Sequence, residues 1–266
     1  MSLHSAARPA RHVDVEGMRL YSREAGEGPL VLLLHGGMAT ASLSWRRWFR
    51  PLARNHRVIA PDLRGHGRSD NPAGRFVGFG PMAWDMLRFI ETLKLSEPPQ
   101  IVAHSCGALV ALHMAVFEPG MVARLGLLAA QPFIGHSPRY AAALREHFGV
   151  RDLDFAPSPL RFFRRQPVDG LNLALAHRQT APWRLFEQLW PMRVRPLGLE
   201  TADYAKITCP TLLMVGGADP FVSVEETARL CTLIPDATMQ TLDGHDHHSA
   251  LHDVSVVERH LVPFLD

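Results

Sequence analysis

Residues 102–111 read VAHSCGALVA, a serine set between one apolar run and the next. A serine on a tight strand-to-helix turn is displayed at the end of a sheet, where its hydroxyl can attack a substrate. The usual signature of such a turn is G-x-S-x-G. Here Gly107 holds the second glycine position and Ala103 stands at the first. That first position demands smallness more than unusual backbone angles, because strand and helix pass closely there, so alanine is compatible with it. The competing reading makes Ser105 a helix N-cap and nothing more, and the motif alone does not separate the two.

Partners decide between them. A hydroxyl is a weak nucleophile near neutral pH, so it needs a base, and the base needs an orienting acid. Asp219 follows the apolar run TLLMV, in GGADPF, and His245 follows ATMQTL, in DGHDHH. Asp219 before Pro220 also suits a plain turn, and His247 and His248 compete with His245. The order serine, acid, histidine along the chain, each just past an apolar run, favours Ser105, Asp219 and His245 as a catalytic triad. An oxyanion formed at the attacked carbonyl needs fixed N–H donors. HGGM at 35–38 offers Gly37, with Met38 as its substitute, and the second donor is the amide of Cys106. The Cys106 thiol lies one residue past the exposed turn position and is set aside as a nucleophile.

Other clusters carry less. His245, His247, His248 and His252 invite a metal, but the remaining ligands of a hydrolytic metal site are not evident, so none is expected. The RGHGRS loop has no P-loop lysine after it, and no G-x-G-x-x-G opens a helix, which speaks against nucleotide binding.

The elements needed to hold these residues can be read from hydropathy. GPLVLLLHGG (28–37), HRVIAP (56–61), PQIVAHS (99–105), VARLGLLAA (122–130), CPTLLMVGG (209–217) and ATMQTL (237–242) read as strands, several of them apolar on both faces. PMAWDMLRFIETLKL (81–95) has Met82, Met86, Ile90 and Leu93 at helical spacing, and GALVALHMAVFEPG (107–120) reads as a fully buried helix. Ser223 and Glu226 form a capping box that opens another helix, and a last helix runs to the C-terminus. Alternating strands and helices predict a mostly parallel sheet covered on both faces. Between 133 and 204 the alternation stops, and helix-like pieces separated by prolines replace it. The predicted organisation is a core of 1–132 and 205–266 with a helical lid over 133–204.

Taken together, LLLHGG, APDLRGHGRSD, AHSCGA, LLMVGGADP and DGH resemble the α/β-hydrolase superfamily, in its lid-bearing esterase, lactonase and C–C hydrolase branch. The resemblance covers about residues 15–130 and 205–264, with Ala103 and Ala108 standing where glycine is usual. It implies the α/β-hydrolase fold and a serine hydrolase acting through an acyl-enzyme on a small to medium carboxylic ester or lactone, without a cofactor. Members with an aspartate nucleophile, the haloalkane dehalogenases and epoxide hydrolases, are disfavoured by Ser105. Ser-Cys-Gly is shared with plant hydroxynitrile lyases, but there a lysine follows the catalytic histidine, and Asp246 stands here. The alternatives are cleavage of a ring-fission diketone at carbon, and a cofactor-free oxygenase or binding protein whose serine is never acylated. Met38 and, within the lid, Phe162, Trp183 and Trp190 are candidates for an apolar substrate pocket, and an arginine such as Arg161 or Arg184 is a candidate clamp for a carboxylate.

Composition bounds the rest. The 266 residues are 47% hydrophobic and 20% charged with a formal net charge of +2, too little to suggest nucleic acid as a partner. No run of 18 apolar residues exists to span a membrane, and the N-terminal stretch lacks the apolar core of a secretory signal. Three scattered cysteines suit reduced thiols, hence a cytoplasmic protein with a small-molecule substrate.

Overall fold

The computed structural model describes residues 8–37, 39–73, 77–132 and 199–266. Eight strands form one sheet in the order β1-β2-β4-β3-β5-β6-β7-β8. They are β1 (Arg8–Val15), β2 (Met18–Ala25), β3 (Leu30–Leu34), β4 (Arg57–Pro61), β5 (Gln100–His104), β6 (Arg124–Leu128), β7 (Thr211–Gly216) and β8 (Ala237–Leu242). From β4 to β8 every neighbouring pair is parallel, and β2 runs antiparallel to both β1 and β4. The β1–β2 hairpin is the part of the sheet that hydropathy did not single out.

The central strands are apolar at every position because both faces are covered. Along β3 the side chains divide with a period of two. Leu30, Leu32 and Leu34 join the core on one face, with Met86, Phe89, Leu109 and Leu112 from α3 (Phe79–Thr92) and α4 (Cys106–Phe117). Val31 and Leu33 join the other, with Trp45, Trp48, Val257 and Leu261. Those tryptophans flank the short helices α1 (Ala41–Trp45) and α2 (Phe49–Leu52). Helix α5 (Val224–Leu233) begins as predicted: the Ser223 hydroxyl accepts from the Glu226 amide and the Glu226 carboxylate from the Ser223 amide, both at 3.1 Å. The C-terminal helix runs as read, unbroken from Val254 to Leu265, with a π-helical turn at Val257–Leu261 between Val254–Val256 and Val262–Leu265. Pro263 lies in the first turn of the last piece, where it has no N–H to continue the ladder.

Of the predicted lid, residues 133–198 lie outside the described residues. The remainder includes a 3-10 helix, Thr201–Lys206, in which Tyr204 is buried in the main core beside Leu199. The Tyr204 hydroxyl donates to the carbonyl of Pro132 at 2.7 Å. The chain therefore leaves the core and returns to it at two points tied together.

Parallel strands put their carboxyl ends, and the loops that follow them, on one edge. Helix α4 starts directly after β5 and crosses the end of β3 so closely that a methyl group on Gly107 would be driven into the carbonyl oxygens of Leu34 and His35. Ala103 is fully buried in the same apolar cluster as Ala108. Gly107→Ala should therefore lower stability by more than the ~1–3 kcal/mol typical of an overpacked contact, and Ala103→Val by an amount within that range. Ala103→Gly should cost only about 0.5–1 kcal/mol. Urea midpoints at constant slope measure all three, and a Gly107→Ala protein as stable as the parent would mean that the crossing is not tight.

Candidate active site

The elbow is visible as backbone geometry. Ser105 has φ 51° and ψ −119°, a conformation that L-residues rarely adopt. It is held from both sides: its amide donates to Leu128 O at 2.9 Å, and its carbonyl accepts from the amides of Ala108 (2.9 Å) and Leu109 (3.2 Å). The strained turn lifts the hydroxyl above the sheet edge at the positive end of α4. Ser105 is therefore more than a helix cap, and its side chain caps no amide of α4.

Asp219 follows β7 and is fully buried. One carboxylate oxygen accepts from the amides of Phe221 (2.8 Å) and Val222 (2.9 Å), and the other lies 2.7 Å from His247 Nδ1. His247 Nε2 in turn lies 3.0 Å from Ser105 Oγ. Because a carboxylate only accepts, Nδ1 carries the proton and Nε2 offers its lone pair to the serine O–H. The ring is wedged edge-on against Phe221, with centroids 4.9 Å apart.

Here the sequence reading is corrected. The structure brings Ser105 and Asp219 together, but through His247 and not through His245. His245 Nδ1 lies 3.0 Å from its neighbour Asp243's carbonyl and Nε2 3.1 Å from the Asp253 carboxylate, so its ring is turned toward Asp253. The reason is local. Gly244, at φ 73°, begins the turn after β8, and the backbone of His245 closes it by donating to Leu242 O (3.2 Å) and accepting from Ala218 N (2.9 Å). Two further residues are needed before the chain can reach across to Asp219. Asp246 and Ser249 then make a second turn, in which Asp246 Oδ1 accepts from the amides of His248 (2.9 Å) and Ser249 (2.7 Å) and Ser249 Oγ accepts from Asp246 N (2.8 Å). That Asp-x-x-Ser spacing was the available signal that His247, inside the turn, is the residue displayed.

Gly37 and Cys106 are brought together at the same edge. A methyl on Gly37 would lie 2.8 Å from Cys106 Sγ. The Gly36–Gly37 peptide is held by His35: Leu63 N–H donates to His35 Nε2 (2.9 Å), so Nδ1 bears the proton and donates to Gly36 O (2.7 Å). Carbonyl and amide of a trans peptide point oppositely, so pinning the Gly36 carbonyl turns the Gly37 N–H to the other side, where it meets the Cys106 sulfur. Burial pushes the Cys106 thiol up from its ordinary value despite this amide and the Ser105 hydroxyl nearby, and a neutral thiol is not the nucleophile here. Met38, Phe162, Trp183, Trp190, Arg161 and Arg184 lie outside the described residues. Among the described residues, no three or more His, Cys, Asp or Glu side chains are grouped to hold a metal ion. No helix among them is long and apolar enough to cross a membrane.

The hydrogen-bond chain makes one prediction that needs no substrate. In Asp219→Asn the amide oxygen can still accept from Phe221 and Val222, while the amide nitrogen must donate to His247 Nδ1. The His247 proton should then move to Nε2. Nitrogen-15 NMR of the imidazole should show Nδ1–H in the parent and Nε2–H in the variant, with the fold retained. An unchanged tautomer would mean that Asp219 does not orient His247.

Comparison with known proteins agrees with this architecture. Residues 31–259 match the sequence model of the Alpha/beta hydrolase family. The chain is 28% identical to the magnesium-chelatase 30 kDa subunit of Rhodobacter capsulatus over 243 residues, 82% of this chain and 80% of that one. It is also 28% identical to 2-(acetamidomethylene)succinate hydrolase of Mesorhizobium japonicum over 261 residues, 90% and 88% of the two chains. Among solved structures, a putative lipase from Acinetobacter baumannii AYE superimposes with a TM-score of 0.82 at 22% identity, covering 98% of this chain and 91% of that one. The sheet order, the turn after β5 and the family match lead to one conclusion: this chain belongs to the alpha/beta hydrolase family.

Proposed function

We propose that the protein is a serine hydrolase that cleaves carboxylic esters or lactones through an acyl-enzyme. The observation that carries this reading is the unbroken chain Ser105 Oγ to His247 Nε2 (3.0 Å) and His247 Nδ1 to Asp219 Oδ2 (2.7 Å). His247 removes the Ser105 proton as Oγ attacks the substrate carbonyl. The negative oxygen of the tetrahedral intermediate is received by the amides of Gly37 and Cys106, the Gly37 N–H exchanging the Cys106 sulfur for the oxygen. Buried Asp219 stabilises the imidazolium that forms. The C–O bond to the leaving group then breaks, and His247 passes its proton to the departing oxygen. Water repeats the sequence on the acyl-enzyme, giving the free acid and restoring Ser105.

The tie between Pro132 and Tyr204, on either side of the inserted stretch, supports reading that stretch as a lid over this edge. In that reading Phe162, Trp183 and Trp190 contribute apolar contacts to the acyl or alcohol part. The scattered free cysteines support a cytoplasmic location.

The test is kinetic. On a p-nitrophenyl ester, Ser105→Ala and His247→Ala should each lower kcat by about 10⁴-fold or more, and the double variant little further, because the groups act as one unit. His245→Ala should stay within a few-fold of the parent. Additive losses, or a His245→Ala protein as inactive as His247→Ala, would contradict the assignment. Measured beside p-nitrophenyl esters, lactones and ring-fission diketones, the panel also fixes the bond cleaved, and turnover of the diketones alone would overturn the ester reading.

A further inference from the structure

One buried histidine at this edge has no part in the proton path. His104 is the last residue of β5, immediately before the nucleophile, and is fully buried. Its Nε2 lies 2.9 Å from the backbone carbonyl of His247. A carbonyl only accepts, so the ring carries its proton on Nε2 and donates it there. On its other side Nδ1 faces Gly36 so closely that a methyl on Gly36 would come within 2.8 Å of it. The His104 ring thus fills the space between the loop after β3, which bears Gly37, and the loop after β8, which bears His247. The two loops belong to strands separated in the sheet by β5, β6 and β7. The ring also packs 4.9 Å from the His247 imidazole, centroid to centroid.

We infer that His104 is a positioning residue that sets the distance between base and nucleophile, by donating a permanent hydrogen bond from Nε2 to the His247 carbonyl. Asp219 fixes the orientation of the His247 ring, whereas His104 fixes the backbone from which that ring projects. Anchored one residue before Ser105, it ties base and nucleophile to a single point of β5. Burial, and then the nearby His247 and His248, hold the His104 pKa well below the ordinary histidine value. His104 therefore stays neutral at working pH, keeps one tautomer, and places no like charge beside His247 when that ring is protonated during turnover.

This inference rests on the serine-hydrolase reading, and the experiment separates the two. The side-chain amide nitrogen of glutamine falls where Nε2 stands, that of asparagine where Nδ1 stands, and phenylalanine fills the space without a donor. His104→Gln, His104→Asn and His104→Phe would be compared with the parent for the rate of Ser105 labelling by a fluorophosphonate and for kcat and KM on a p-nitrophenyl ester. Folding is checked by circular dichroism. Displacing a base by a fraction of an ångström should cost the asparagine and phenylalanine variants about 10- to 100-fold in labelling rate and in kcat, with KM nearly unchanged. The glutamine variant should retain near-parental rates. Folded asparagine and phenylalanine variants that label at the parental rate would overturn the inference, as would a glutamine variant no faster than asparagine. If none of the three folds, His104 is a core residue only, and the inference is equally overturned. A parent protein that is never labelled would instead overturn the serine-hydrolase reading on which it depends.

Discussion

The site hangs on one strained turn. Ser105 adopts φ 51° and ψ −119°, and a residue held in such a region costs of order 1–3 kcal/mol unless its surroundings over-determine it. They do. The Ser105 amide is tied to β6, its carbonyl opens α4, and Gly107 lets that helix pass against the end of β3. The cost is offset by a core that covers both faces of the sheet, and the return is position: the hydroxyl stands at the sheet edge, 3.0 Å from His247 Nε2. Everything else at this edge is arranged around that fixed atom.

Three loops then converge on it, each closed by a different device. The loop after β3 is held by His35, whose two ring nitrogens are committed to Leu63 N and Gly36 O. The loop after β7 is held by Asp219, which satisfies two amides of its own turn with one oxygen and keeps the other for His247. The loop after β8 is closed twice, by the backbone of His245 and by the Asp246–Ser249 turn. Buried polar groups are costly when unpaired, and at this edge His35 and Asp219 serve as braces for the loops that bear Gly37 and face His247.

Much of this was legible in the sequence, for physical reasons. Strands buried on both faces are continuous apolar runs, so β3, β5 and β7 stood out, and their shared edge followed from the parallel order. Ala103 was compatible with the elbow because that position requires small size, and it is fully buried. Asp219 lay directly after its strand, so hydropathy located it. The histidine that meets Ser105 was misplaced because hydropathy marks the end of β8 but says nothing of how many residues the chain needs to climb from that end to Ser105. His245 comes first and is consumed in closing the turn; His247 comes two residues later and arrives. The β1–β2 hairpin was unmarked because only one of its strands pairs with the central sheet, and exposed positions interrupt its apolar pattern.

In the proposed mechanism Ser105, His247 and the amides of Gly37 and Cys106 converge on one tetrahedral centre. A crystal structure of the protein after reaction with a fluorophosphonate tests it directly, because the phosphonyl group imitates the tetrahedral intermediate. Phosphorus should be bonded to Ser105 Oγ, with a phosphonyl oxygen about 3 Å from both amides. His247 Nε2 should lie beside the serine oxygen, and His245 should remain turned toward Asp253. A phosphonyl oxygen held by other donors, or His245 swung in to face the serine, would contradict it.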